Sequence, residues 1–146
     1  MIKKFIPVTL LTISALTSNL AMANWHNIPK VQYLMQNLDD RDSIVTNYAN
    51  EALLESINDS LQYSEGGICS PWDMLGGVDF DADAVSSSVE FSITDEGWVR
   101  ADYQAFYDSD YSTNYFAFDD NDLINDIYDA DGYSFRVSVH ECIENL

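Results

Sequence analysis

Apolar residues recur at three- and four-residue spacing along "RDSIVTNYANEALLESINDSLQYSEGG". Ile44, Val45, Tyr48, Ala49, Ala52, Leu53, Ile57 and Leu61 fall on one stripe, which predicts a single amphipathic helix. Asp42 or Ser43 can cap its start, and Gly66-Gly67 ends it. "KVQYLMQNL" ahead of it reads as a shorter helix joined through the polar "DDRD". After Gly67 the period changes from helical to alternating. Val85, Ser87, Val89, Phe91 and Ile93 take one side of a strand running to Thr94, with Ser86, Ser88, Glu90 and Ser92 on the other.

"DEG" (Asp95 to Gly97) then predicts a hairpin loop with glycine in the left-handed position. "WVRADYQAFY" predicts a second strand with Val99, Ala101, Tyr103 and Ala105 inward, and "NYFAF" a third. The acidic "DDNDLINDIYDADG" (Asp119 to Gly132) reads as a loop with one or two helical turns around Leu123, Ile124 and Ile127. "YSFRVSVHEC" closes the chain as a last strand, its inner row Tyr133, Phe135, Val137 and Val139. The expected fold class is α+β: one or two N-terminal helices packed on an antiparallel meander of about four strands.

The first 23 residues change the picture of where this happens. Lys3 and Lys4 precede the apolar run "FIPVTLLTISAL", and "AMA" (Ala21 to Ala23) offers a small-x-small cleavage site. This is the pattern of a signal peptide; the run is too short to span a bilayer as a retained anchor. The expectation is a periplasmic or secreted protein, residues 24–146 forming one domain. Cys69 and Cys142 then read as a disulfide that staples a mid-chain loop to the C-terminal segment.

Charge sharpens the reading. The mature chain keeps all 25 acids but only Lys30, Arg41, Arg100 and Arg136, giving a formal charge of −21. Such a field repels nucleic acid and anionic membrane surfaces and draws in basic proteins. Catalytic motifs are missing: no G-x-S-x-G, no H-E-x-x-H, no phosphate loop and no dinucleotide fingerprint occurs. Of the two histidines, His26 stands near the mature terminus. His140 falls on the outer row of the last strand with Ser134, Arg136 and Ser138.

"DFDADAVSSSVE" carries Asp79, Asp81 and Asp83 at alternate positions and Glu90 seven residues later, the rhythm of an EF-hand loop. An extended Val85–Thr94 would set Glu90 about 23 Å from Asp83, too far for one ion, and position six is Ala84 where that loop wants glycine. What is left is a cation-responsive alternative, an irregular calcium site on Asp79, Asp81 and Asp83 completed by Asp73 or the 119–131 loop. A small carbohydrate-directed hydrolase using two carboxylates is a second alternative.

The most specific signal is "YQAFYDSDYSTNYFAF" (Tyr103 to Phe118), with four tyrosines and three phenylalanines in sixteen residues. Large stiff aromatics among Ser, Asn and Asp are what binding loops favour. Tyr107, Asp108, Asp110 and Tyr111, with Asp119, Asp120 and Asp122 adding charge, are the expected partner-binding residues. The function expected is non-enzymatic: an inhibitor or immunity protein that docks on a basic enzyme or toxin. An uncovered sheet edge would also let the chain pair as a homodimer.

Overall fold

The computed structural model describes residues 24–63 and 65–146, so the expected signal peptide lies outside the described residues. The protein is mixed α+β. Helices α1 (Ile28–Gln36), α2 (Arg41–Tyr48), α3 (Glu51–Gln62) and α4 (Ala82–Ser88) come first. Strands β1 (Glu90–Ile93), β2 (Val99–Gln104), β3 (Tyr111–Phe118) and β4 (Ile124–Tyr128) follow, and α5 (Phe135–Glu144) closes the chain. The strands form an antiparallel meander in the order β1-β2-β3-β4. Cys69 and Cys142 are joined by a disulfide.

The predicted long helix is two helices. Ala49 is extended (φ −75°, ψ 144°), and Asn50 starts α3 by accepting the Leu53 amide on its side chain at 3.0 Å. Asn50 N donates to the Ile124 carbonyl at 2.9 Å, and Ala49 bridges Ile124 in parallel. Periodicity ran on through this break because Ala49 and Leu53 are both buried on the same side.

Three other expectations are corrected. The predicted strand over Val85–Thr94 begins as helix α4, and only Glu90–Ile93 is extended. Asp81 caps that helix, its Oδ1 accepting the Asp83 and Ala84 amides at 3.0 Å each. Ser87 and Ser88 bond back to carbonyls of the preceding turn, so the serines that mimicked an outer strand row serve the helix instead. "YSFRVSVHEC" is helix α5, capped by Ser134, whose Oγ accepts the Val137 amide at 3.1 Å. Phe135 and Val139, four apart, are buried, whereas Val137 of the supposed inner row is 51% exposed. The fourth strand of the meander is β4, inside the acidic segment read as a loop. A bulge at Ala117/Phe118 breaks its alternation, which hid it.

One sheet face carries the core. Val99, Ala101 and Tyr103 of β2, Phe116 of β3 and Ile127 of β4 pack with Leu34 and Met35 of α1, Leu53 and Ile57 of α3, Val85 of α4 and Phe135 of α5. Asn114 is the polar exception on this face. Its Oδ1 accepts from the Tyr103 hydroxyl at 2.6 Å, and its Nδ2 donates to the Met74 and Tyr128 carbonyls. Tyr103 Oη in turn accepts the Gly76 amide at 2.9 Å. Gly97 closes the β1–β2 turn at φ +85°, as its spacing predicts. Among the described residues no helix is long and apolar enough to cross a membrane.

Candidate binding face and hairpin tip

The alternation that buries Val99, Ala101 and Tyr103 turns Arg100, Asp102 and Gln104 to the opposite face. Register then sets Ser92, Arg100, Tyr115 and Tyr128 in one row across four strands, and Glu90, Asp102 and Thr113 in the next. Trp98, just before β2, stacks on Tyr128 with ring centroids 4.6 Å apart and planes 4° apart, and meets Tyr115 edge-on at 6.5 Å. These rings line an open groove of about 560 Å³ with Asp95, Glu96 and Asp131 among its other walls.

Arg100 is held at the centre of this face. Its Nε and Nη2 donate to both oxygens of Asp102 at 2.9–3.1 Å, and its guanidinium lies 5.7 Å from the Tyr115 ring centroid. Burial by itself would raise the Asp102 carboxyl, but hydrogen bonds from Arg100 and Thr113 outweigh it and hold the group below the usual carboxylate range. Burial pushes the Tyr128 hydroxyl up, and the neighbouring Asp126 carboxylate adds to that while Arg136 opposes it.

The β2–β3 hairpin tip stands at one end of the same face. Phe106, Tyr107 and Tyr111 are 47%, 62% and 56% exposed, so each keeps about half or more of its surface open to solvent. The tip's backbone is nonetheless fixed. Ser109 N and Oγ both donate to the Phe106 carbonyl, at 3.1 and 2.8 Å, and Gln104 Nε2 donates to the Ser109 carbonyl at 2.6 Å. Asp108 takes a left-handed conformation (φ 63°), which aspartate tolerates better than most side chains. At the base, Asp81 N donates to the Ala105 carbonyl at 2.7 Å and ties the hairpin to the start of α4. Tyr111 pairs with Gln104 and shares the parity of Tyr115, about 13 Å further along β3.

The sequence-predicted residues therefore divide. Tyr107, Asp108, Asp110 and Tyr111 gather at the tip, all exposed. Asp119, Asp120 and Asp122 lie beyond the other end of β3, more than about 23 Å of strand away. Two of these three are engaged within the protein. Asp119 accepts the Asn121 and Leu123 amides at 2.9 and 3.1 Å and the Asn50 side chain at 3.2 Å. Asp122 Oδ1 bonds His26 Nε2 at 2.6 Å and accepts from Asn27 Nδ2 at 3.2 Å, while its carbonyl accepts from Lys30 Nζ.

Asp79 precedes α4, Asp81 caps it and Asp83 lies in its first turn, so the distance argument against an EF-hand falls with the strand it assumed. Among the described residues no group of three or more His, Cys, Asp or Glu side chains is placed to hold a metal ion. His140 pairs with Glu144 one helical turn on, at 3.2 Å, instead of facing a neighbouring strand. Sequence reasoning missed Trp98, Arg100, Tyr115 and Tyr128. The first two were legible as the second parity of "WVRADYQAFY"; the last two needed the register. No protein-family model, no curated protein and no solved structure matches this chain.

Proposed function

We propose that this is an exported, non-enzymatic binding protein of the inhibitor or immunity type, which docks on a basic protein through the β2–β3 tip and the sheet face behind it. The observation that carries the reading is the tip itself. Three large aromatic side chains stand in solvent on a loop that Ser109 and Gln104 hold in one shape. Exposing them costs solubility without serving the core, and a rigid loop loses little entropy when a partner covers it. Trp98, Tyr115, Tyr128 and Arg100 extend the same surface with the residue types that anchor interfaces. The acidic field draws the partner in, and Asp108 and Asp110 meet its basic groups at contact.

The test is capture of basic exported enzymes on mature protein, repeated with the Tyr107→Ala/Tyr111→Ala variant. The expected result is one partner held in a salt-sensitive way by the native protein and lost by the variant, whose melting temperature stays unchanged. Interface anchors of this kind cost about 2 kcal/mol or more each on truncation, roughly thirtyfold in Kd. A partner that binds both proteins equally would move the site elsewhere. Failure to bind any basic protein would overturn the reading.

A further inference from the structure

A second concavity, away from the tip, lies between α3 and α5 with β4 at its side. It has a volume of about 680 Å³, in the range of sites for small molecules. Its charged lining is mixed. Glu55 and Asp59 stand four apart on α3, and Arg136 and His140 four apart on α5. The apolar part comes from Ala52, Val137, Val139 and Ile143.

Arg136 is the unusual member. The other described arginines and lysine each donate to a fixed acceptor: Lys30 to the Asp122 carbonyl, Arg41 to Leu75 and Gly77, and Arg100 to Asp102. The Arg136 guanidinium has no such partner among the described residues, and its Nε is buried from water. In a protein with 25 acids this is not for want of carboxylates. The nearby Asp126, 4% exposed, is already spent: Oδ1 accepts the Ile127 and Arg136 amides, and Oδ2 accepts the Ser134 hydroxyl. Nε itself lies out of a ligand's reach, but Arg136 lines the groove and its two outer guanidinium nitrogens are not among the buried atoms, so they are what an oxyanion there would meet in charge-assisted hydrogen bonds.

The surroundings narrow the class of that oxyanion. The overall field repels a plain anion, and Glu55 and Asp59 in the same groove add to the repulsion. A ligand that brings its own cation turns those two carboxylates from obstacles into partners. We propose that the α3–α5 groove binds a small zwitterion of the amino-acid or dipeptide class, with its carboxylate on Arg136 and its ammonium on Glu55 and Asp59. A modest apolar side chain fits against Ala52 and Ile143. This site is independent of the tip, and either can fail without the other.

The experiment is isothermal titration of the mature protein with L-leucine and L-alanyl-L-leucine, beside N-acetyl-leucine and leucinamide, which lack one charge each. Saturable binding of at least one zwitterion is expected, with both capped compounds at least about tenfold weaker. Arg136→Gln should abolish it, and Glu55→Gln/Asp59→Asn should remove the advantage over N-acetyl-leucine. Circular dichroism checks that each variant folds; if Arg136→Gln does not, the native protein's discrimination against the capped compounds decides. No binding of either zwitterion at millimolar concentration would overturn the proposal. So would equal affinity for the capped compounds, or unchanged binding by a folded Arg136→Gln protein.

Discussion

Tyr103 donates to Asn114 and accepts from Gly76, so its hydroxyl joins β2, β3 and the loop ahead of α4 at one buried point. Tyr103→Phe leaves Asn114 Oδ1 and the Gly76 amide without that partner, and a loss of about 1–3 kcal/mol is expected in urea unfolding. Gly76 itself has no simple replacement: it sits at φ +96°, and a Cβ there would come within 2.5 Å of Leu38 Cδ2. Hydrogen bonds from His26 and Asn27 hold the Asp122 carboxyl below its ordinary value, although burial works against them. A carboxyl lowered on folding stabilises above its unfolded pKa, about 3.9, and loses that contribution as pH falls through the folded value. The Asp122 share of the tie between His26, Asn27 and the β3–β4 loop should therefore be lost below about pH 4. In an NMR titration His26→Gln should move the Asp122 pKa up; an unmoved Asp122 would show that His26 does not govern it.

At the scale of elements, the decisive residues are caps. Ser134 starts α5 and its hydroxyl also reaches Asp126 Oδ2. Ser134→Ala removes both at once, so the expected cost lies near the upper end of the cap range, about 2 kcal/mol, read as a lower melting midpoint with reduced helical circular dichroism. These caps also explain what could be read in advance. Alternation in "AVSSSVEFSI" and "YSFRVSVHEC" is compatible with strand or helix, because both stretches are shorter than three turns and place apolar residues at i and i+4 as well as at i+2. Asp81 and Ser134, each followed by a short apolar-polar run, were the local signals that favoured helix. The β1–β2 turn and the strands on either side of "DSDY" were legible because glycine, alternation and turn residues agreed there. The break at Ala49-Asn50 was not, since its cause is a bond to Ile124, 74 positions along the chain from Asn50.

For the whole molecule, the Cys69–Cys142 disulfide ties α5 back to the loop after α3 across 73 residues. Trp72 packs on Phe135 beside it, ring centroids 4.8 Å apart. Closing a loop of that length in the unfolded chain stabilises by about 4 kcal/mol in the chain-entropy treatment. Reduction should lower the urea midpoint accordingly, and the Cys69→Ser/Cys142→Ser variant should match the reduced protein; an unchanged midpoint would place the stability wholly in the core. The tip's aromatic-acidic character needed only composition and turn residues to be seen. Its extension into Trp98, Tyr115 and Tyr128 depended on which residues oppose one another across strands. The mixed α+β class, the antiparallel meander, the disulfide and the tip were determined by the sequence by itself, since each follows from periodicity, spacing or cysteine count. Where helix gave way to strand, where the acidic segment became β4, and how Arg136 came to lie without an acceptor were decided by the tertiary structure. Those outcomes hang on hydrogen bonds between residues far apart in the chain, and a local pattern cannot anticipate a partner that only folding brings near.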